Sequence, residues 1–175
     1  STNVRQSEHP QPESDCSPIA MPELPEVETM RRCIESVSGL SIARAWRPRS
    51  KLQSIRFVPS WREVRAGLRG RLIKEVARLG KRLVLHLDNS CCLVIEPRMT
   101  GLVMLASPPN RSHLRLVVEL RGRDEQQLLF WDQRGLGVVQ LLTEAIFAQQ
   151  YGPGRIGPDA LTISQADFAA RFRAL

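Results

Sequence analysis

Nine short segments in which apolar and polar residues alternate, starting near residue 40, constrain the fold of this chain more than any other feature. Side chains alternate between the two faces of a β-strand, so this pattern predicts strands that each bury one face. Short strands at such spacing are typical of an antiparallel sandwich. The predicted strands cover residues 40–46, 54–58, 72–77, 82–87, 92–95, 102–106, 113–120, 128–132 and 137–142.

Segments with helical periodicity lie around these strands, at residues 25–38, 62–68, 143–151 and 164–175. The first has one apolar face, formed by Val27, Met30, Ile34 and Val37. Gly39 is expected to end this helix. The last begins with Ser164 as its N-cap, followed by Asp167. We therefore expect an α+β fold that is mainly β, a two-sheet antiparallel β-sandwich flanked by helices.

The length of 175 residues predicts one domain with flanking segments. Residues 1–20 are rich in Ser, Pro, Glu and Gln, which predicts a disordered N-terminal extension and leaves 21–175 as the folded domain. An apolar run of about 18 residues and a signal peptide are both missing from the sequence. A cytoplasmic or nucleoid-associated location, and a monomer, are therefore expected.

The cysteines do not have the spacing of a structural metal site. They are Cys16, Cys33, Cys91 and Cys92, and none of them forms the Cys-x-x-Cys pair of a zinc ribbon. Adjacent residues of a strand face opposite sides, so at least one of Cys91 and Cys92 is expected to be a core residue. No metal ligands are predicted.

The charge of the chain favours a polyanionic partner. The formal net charge is +7, and without residues 1–20 it rises to +9, from 24 basic and 15 acidic residues. A basic body of this kind attracts a phosphate backbone in a salt-dependent way. Only Lys51, Lys74 and Lys81 are lysine. The high proportion of arginine among the basic residues is expected both of a protein that binds phosphates and of a protein encoded by a GC-rich genome.

Residues 21–29 read Met-Pro-Glu-Leu-Pro-Glu-Val-Glu-Thr, which places a proline and a carboxylate directly after a methionine. In a chain that began at Pro22, this proline would be a secondary amine able to attack an electrophilic carbon, and Glu23 would donate and retrieve protons. With residues before it, the Pro22 nitrogen is a tertiary amide. The run also predicts a helix start, with Pro25 at the first helical position and Glu26 and Glu28 complementing the helix N-terminus.

On these residues the chain closely resembles the formamidopyrimidine-DNA glycosylase family, whose members begin with the same nine residues and excise oxidised purines from DNA. Residues 24–27, Leu-Pro-Glu-Val, resemble the purine-excising branch more than the related endonuclease VIII branch, although the expected chemistry does not separate the two. The resemblance implies a bifunctional glycosylase and abasic-site lyase, in which Pro22 attacks C1′ of the damaged nucleotide and Glu23 protonates the ring oxygen of the sugar. It also implies the same β-sandwich fold, from Met21 to the end of the chain, and no metal or organic cofactor in this part.

Two further site residues follow from the same resemblance. Residues 78–83 read Arg-Leu-Gly-Lys-Arg-Leu and match a family lysine that precedes a strand, so Lys81 is expected near the scissile phosphates, where it assists β-elimination. Residues 98–101 read Arg-Met-Thr-Gly and place Met99 at the methionine that fills the space left by a flipped base. The structural alternatives are a surface lysine for Lys81 and a core methionine for Met99.

The segment Asp-Gln-Arg-Gly-Leu-Gly at residues 132–137 corresponds to the family loop Asp-Pro-Arg-Arg-Phe-Gly. Arg134 falls on the arginine expected to contact the base opposite the lesion. The chain departs from the family here, because Gln133 replaces proline, Gly135 replaces arginine and Leu136 replaces the intercalating phenylalanine. Leu136 remains a candidate apolar wedge.

Residues 110–113 resemble a family segment that contains two histidines. Arg111 stands at a position expected to contact a phosphate, and His113 is either a DNA contact or a structural histidine at the start of a strand. The segment 156–161 also matches the family, and we interpret it as a structural connection to the last helix.

Members of the family continue into a helix-two-turn-helix segment and usually a zinc finger, neither of which lies within these residues. We therefore expect the N-terminal catalytic domain alone, acting on double-stranded DNA with oxidised or abasic sites if Pro22 is freed. The alternatives are a non-catalytic DNA-binding or damage-sensing module and an inactive fragment that lacks its second DNA-gripping domain. An RNA-binding β-sandwich would need surface aromatic residues, and only 5% of the chain is aromatic.

Overall fold

Two β-sheets packed against each other form the body of the protein in the computed structural model, which describes residues 23–122 and 126–172. One sheet has four strands in the order β1-β7-β8-β6, and the other has five in the order β2-β9-β5-β4-β3. The strands are β1 (Ser41–Trp46), β2 (Arg56–Val58), β3 (Ile73–Leu79), β4 (Arg82–Leu87), β5 (Cys91–Glu96), β6 (Gly101–Met104), β7 (Leu114–Arg121), β8 (Gln126–Asp132) and β9 (Val138–Thr143). We refer to them below as the four-stranded and the five-stranded sheet.

The main core lies between the sheets, where alternate residues of facing strands meet. Leu83, Leu85 and Leu93 from the five-stranded sheet pack with Leu116 and Phe130 from the four-stranded sheet, and all of them are almost completely buried. This is the arrangement that the two-residue alternation predicts, because each strand turns one face inward. The outer face of the five-stranded sheet has a smaller apolar cluster around Val84 and Val94.

Two helices close the open sides of the sandwich. Helix α1 (Leu24–Ile34) packs against β3 and β6, which are edge strands, and helix α2 (Trp61–Leu68) packs against β1 and β2, the edge strands on the opposite side. Helix α3 (Glu144–Tyr151) lies on the outer face of the five-stranded sheet, and helix α4 (Gln165–Phe172) follows a connection of irregular structure. The start of α1, next to the predicted catalytic residue Glu23, and the surface of α2 therefore lie on opposite flanks of the molecule.

Most of the predicted elements are confirmed with shifts of one or two residues at their ends. The four residues of the predicted apolar face of α1 are buried, and Gly39, at φ +85°, follows the 3₁₀ turn Glu35–Val37 that ends the helix. Ser164 accepts a hydrogen bond from the Asp167 amide at 3.1 Å, as expected of an N-cap. Cys92 is buried on the outer side of its sheet, while Cys91 packs toward the main core.

Four expectations differ from the structure or lie outside it. Strand β2 pairs with β9 in parallel, so the sandwich is not antiparallel throughout. Helix α1 begins at Leu24, which puts Pro25 at its second position. The predicted extension at residues 1–20 and the predicted nucleophile Pro22 lie outside the described residues. Within the described part of the chain, no helix has both the length and the apolar character needed to span a bilayer.

Three connections meet at one end of the sandwich and position the candidate site. The β3–β4 turn adjoins the end of β5, because Leu83 pairs with Ile95, and Glu96 in turn pairs with Val138 at the start of β9. Gly101 at the start of β6 pairs with Asp132 at the end of β8. The β3–β4, β5–β6 and β8–β9 connections therefore lie side by side.

Candidate active site

Glu23 and Lys81, two of the predicted catalytic residues, form an ion pair at this end of the sandwich. The Lys81 Nζ atom lies 2.6 Å from Glu23 Oε2, and both side chains are about half exposed, at 45% and 53%. Pro22 itself lies outside the described residues, but it is covalently bonded to Glu23. The structure thus brings together a carboxylate and an ammonium next to the residue from which the chemistry is expected to start.

Local structure fixes both partners of this pair. Glu23 is the N-cap of α1, and its backbone N–H donates to Glu26 Oε2 at 3.0 Å, which is half of a capping box. Lys81 is the second residue of a two-residue turn between β3 and β4, and Gly80 before it has φ +57°. A left-handed residue suits the first position of such a hairpin turn. Lys81 therefore sits at the tip of the hairpin, directly before β4, as the sequence indicated.

A buried arginine that the sequence analysis did not single out connects α1 to this hairpin. The side chain of Arg78 is only 5% exposed, and its Nε atom donates to Glu28 Oε2 at 3.0 Å. Its Nη1 atom donates to the Gly80 carbonyl at 3.0 Å, and its Nη2 atom contacts Asp159 Oδ2. Arg78 thus joins three segments, and it holds the helix that starts at Glu23 beside the turn that presents Lys81.

Glu28 has a different role from the predicted one. Its carboxylate accepts hydrogen bonds from Arg31, Arg32 and Arg78 and does not complement the helix N-terminus. Burial opposes ionisation of Glu28, but the hydrogen bonds from Arg78 and the two α1 arginines outweigh burial and lower the pKa of Glu28 to about 2. Asp159 also pairs with Arg78, and this ion pair holds the connection at residues 156–161 against the hairpin.

The lowered pKa of Glu28 predicts a specific loss of stability in acid. In the unfolded chain Glu28 titrates near its ordinary value of 4.5, and in the folded chain near 2. Its contribution to the free energy of unfolding, about 1–3 kcal/mol, is therefore fully present above pH 4.5 and is lost as the pH falls toward 2. Urea unfolding across this range, for the wild type and for Glu28→Gln, measures this contribution. The difference between the two proteins should shrink as the pH falls, and a constant difference would contradict the assignment.

Asp132 organises the loop that contains Arg134. Its side chain is fully buried and accepts hydrogen bonds from the Gly137 amide at 2.7 Å and from the Arg134 amide at 3.2 Å. It also accepts from Thr100 Oγ1 at 2.7 Å, and Thr100 lies in the β5–β6 connection beside Met99. One buried carboxylate therefore fixes the Arg134 loop and the Met99 loop relative to each other, while the side chains of Arg134 and Leu136 remain exposed.

A glycine at position 135, where the resemblance leads us to expect an arginine, has a clear physical reason. Gly135 has φ +67°, in the left-handed region that favours glycine. A Cβ atom at this position would lie 2.8 Å from the Gln53 carbonyl oxygen. The loop packs against residue 53 so closely that a larger side chain does not fit without movement of the backbone.

The Met99 loop is also tied to the β3–β4 hairpin. The Glu96 carboxylate, which is largely buried, lies 3.0 Å from Arg82 Nε and 3.1 Å from Arg98 Nη2. Arg82 directly follows Lys81, and Arg98 directly precedes Met99, whose side chain is partly exposed. Gly101 closes the loop, because a Cβ atom there would lie 2.3 Å from the Pro97 carbonyl oxygen. Contacts therefore run without a break from the Lys81 turn to Met99 and on to Arg134.

Arg111 and His113 lie beside this group of contacts. The His113 ring packs edge-on against Trp131, with centroids 5.5 Å apart, and its Nδ1 atom lies 2.8 Å from Asn110 Oδ1. These contacts fit the structural alternative for His113. Arg111 is exposed in the loop before β7 and lines a shallow groove with Trp46 and Pro108 on the outer face of the four-stranded sheet.

No metal site accompanies these residues in the part of the chain that the structure describes. No cluster of three or more His, Cys, Asp or Glu side chains there is arranged to hold a metal ion.

Burial, with smaller effects of Glu144 and Cys91, raises the pKa of the Cys92 thiol to about 11. This cysteine is therefore a neutral core residue at neutral pH.

Comparison with known proteins identifies relatives for most of the chain. Residues 21–139 match the family model of the formamidopyrimidine-DNA glycosylase N-terminal domain. A formamidopyrimidine-DNA glycosylase of Heliobacterium modesticaldum is 39% identical over 147 residues, which are 81% of this chain and 51% of the relative. One of Solibacter usitatus is 34% identical over 152 residues, 86% of this chain and 53% of that protein. The chain thus spans about half the length of these relatives.

Solved structures of the same kind share the fold. The formamidopyrimidine-DNA glycosylase of Lactococcus lactis, non-covalently bound to DNA with an abasic site, superposes with a TM-score of 0.70 at 25% identity, covering 86% of this chain and 55% of the other. The same protein in complex with DNA that contains N7-benzyl-Fapy-dG gives a TM-score of 0.69, covering 87% of this chain and 56% of the other. The described residues therefore have the architecture of the N-terminal half of these enzymes.

Proposed function

Since this chain belongs to the formamidopyrimidine-DNA glycosylase family, we propose that it forms the half of a DNA glycosylase and abasic-site lyase that holds the nucleophile. The observation that best supports this proposal is the ion pair of 2.6 Å between Lys81 and Glu23, the residue that directly follows Pro22. The partner in this proposal is double-stranded DNA with oxidised or abasic sites. The sequence pI of about 10.0 suits a phosphate backbone.

The proposed reaction starts from a chain whose first residue is Pro22. The secondary amine of Pro22 attacks C1′ of the damaged nucleotide, and the amine proton passes to the Glu23 carboxylate. The bond from C1′ to the base breaks, and the base leaves with the bonding electron pair and takes a proton from water. Glu23 then gives the amine proton to the ring oxygen of the sugar, which opens the ring and leaves an iminium ion between Pro22 and C1′. The iminium ion acidifies the hydrogens at C2′. Loss of a C2′ proton to water forms a double bond between C2′ and C3′ and breaks the C3′–O bond, which releases the 3′ phosphate.

Lys81 contributes a positive charge close to these steps. An ammonium beside Glu23 keeps the carboxylate in place and is positioned to hold a phosphate near the scissile bond. The amine, the carboxyl and this cation are sufficient for the chemistry, so the proposal needs no metal or organic cofactor.

The two coupled loops supply the contacts to the flipped-out nucleotide and its partner. We assign Met99 as the apolar side chain that enters the space left by the extruded base, and Leu136, which is 41% exposed, as a second wedge. The Arg134 guanidinium presents a planar fork to the acceptor edge of the opposite base. Arg111 contacts a phosphate further along the duplex. In this proposal the protein acts as a monomer on chromosomal DNA in the cytoplasm.

Strand cleavage at an abasic site tests the proposal. A chain that starts at Pro22 is incubated at low salt, and in excess, with a duplex that contains one abasic site, so that weak binding does not limit the reaction. The proposal predicts cleavage on the 3′ side of the site by this chain and none by a chain that keeps Met21. Binding without cleavage by both chains would favour a non-catalytic DNA-binding module.

A further inference from the structure

A groove on the flank opposite to the candidate active site is lined by exposed arginines. It lies between α2 and β1 and has a volume of about 690 Å³, within the range of roughly 300–1,000 Å³ that is usual for ligand sites. Arg62, Arg65 and Arg69 line one wall, and Arg44 and Arg121 line the other. Residues three apart share one face of a helix, so α2 presents Arg62 and Arg65 side by side, and Arg69 follows directly after the helix.

The charge of this groove is almost entirely positive. One acidic residue lines it, Glu119, and its carboxylate already pairs with Arg44 at 2.8 Å. Ala43, Ala45 and Ala66 line the space between the arginines, and their short side chains leave it open. The groove therefore combines several arginines with an alanine-lined space, which suits an extended chain that carries negative charges.

The aromatic residues around the groove are engaged with other side chains. The Trp61 ring packs on Phe57, with centroids 4.9 Å apart, and Arg47 lies over it at 5.6 Å. Sites for single-stranded nucleic acid use open aromatic faces on which bases stack. Because the Trp61 ring is already covered by Phe57 and Arg47, the lining of the groove favours a polypeptide as the occupant.

The floor of the groove includes part of an edge strand. Within the described residues, β1 pairs with β7 on one side, and on its other side Ile42 bonds to Arg71 and Gly70. Ala43, Arg44 and Ala45, which follow, line the groove. Extended peptides bind to sheet edges, and arginine clusters recognise acidic motifs. In this groove, a strand edge and an arginine cluster lie together.

We propose that the groove between α2 and β1 binds an acidic, extended segment of a partner protein. The groove lies away from the α1 flank, where the Glu23–Lys81 pair is found, so partner binding and damaged-DNA binding use different surfaces. The proposal does not depend on the catalytic role argued above, and it remains testable if that role fails.

Fluorescence anisotropy with a labelled hexaglutamate peptide tests the proposal. The groove variant is Arg62→Gln/Arg65→Gln, and the matched control is Lys74→Gln/Arg171→Gln, which removes the same charge from exposed positions outside the groove. A labelled, undamaged 12-base-pair duplex is titrated in parallel. We expect the groove variant to bind the peptide at least tenfold more weakly than the wild type, with the control within about twofold, because each charge-assisted hydrogen bond adds substantially to affinity.

The duplex titration separates this proposal from general attraction to polyanions. If duplex affinity falls equally in the groove variant and in the control, the result supports a separate peptide site. Equal peptide affinity for the groove variant and the control would overturn the proposal, as would a wild type that does not bind the peptide. A groove variant that loses duplex affinity as strongly as peptide affinity would identify the groove as a nucleic-acid surface instead. Melting curves of both variants show that the fold is intact.

Discussion

Replacing Glu23 by glutamine, in a chain that starts at Pro22, is expected to lower the rate of base excision by about 10²–10⁴-fold, the range for loss of a general acid or base. Glutamine keeps the size of the side chain but cannot take the amine proton or protonate the ring oxygen. It also removes the ion pair of 2.6 Å with Lys81. Single-turnover excision of an oxidised purine, followed by denaturing electrophoresis, measures the rate.

Glu35→Gln is the matched control for this change. Glu35 follows the last turn of α1, and its carboxylate also forms one ion pair, with Arg31 at 3.0 Å. The control should excise the base at nearly the wild-type rate, because Glu35 lies at the other end of the helix. A rate for Glu23→Gln within about threefold of the control would contradict a general acid role, since proton transfer contributes far more than that.

Replacing Arg78 by alanine is expected to destabilise the fold by about 3–5 kcal/mol, the cost of removing one partner from a buried ion pair. Arg78 is 5% exposed, and its loss leaves Glu28 and Asp159 without the cation that joins them. It also releases the Gly80 carbonyl, which Arg78 holds at 3.0 Å beside Lys81. Urea unfolding at neutral pH measures the loss of stability.

Arg32→Ala provides the comparison for the Arg78 variant. Arg32 also donates to Glu28, at 3.0 Å, but its side chain is 72% exposed. An exposed ion pair contributes little, so Arg32→Ala should cost no more than about 1 kcal/mol. Similar losses for the two variants would show that burial of Arg78 does not set the strength of its contacts.

Local patterns in the sequence predict most of the fold. The alternation of apolar residues gives nine strands near their observed ends, because strands that bury one face must repeat with a period of two. Gly39 and Ser164 mark a helix end and a helix start correctly because capping depends on neighbouring residues. The parallel pairing of β2 with β9 is not predictable in this way, since about 80 residues separate the two strands and no local pattern sets their direction.

The candidate site is predictable to the extent that it depends on short motifs. Motifs in two separate segments predict Glu23 and Lys81, and the structure brings these two side chains into contact. Arg78 was missed because its partners Glu28 and Asp159 lie 50 and 81 residues away. Nothing in the sequence distinguishes one buried arginine in a chain with 25 basic residues of which three are lysine. The catalytic roles of Pro22, Glu23 and Lys81 stay predictions, and so do the DNA contacts of Met99, Arg111, Arg134 and Leu136.

Borohydride trapping on a duplex with one abasic site, read by intact mass, tests the central claim most directly. Borohydride reduces the iminium ion between an amine and C1′ to a stable covalent bond, so the protein gains the mass of the DNA strand. We predict this adduct for the chain that starts at Pro22, at its N-terminal residue, and no adduct for the chain that keeps the residues before Pro22. An adduct of equal yield with both chains, or with neither while both bind the duplex, would contradict the claim that the Pro22 amine is the nucleophile.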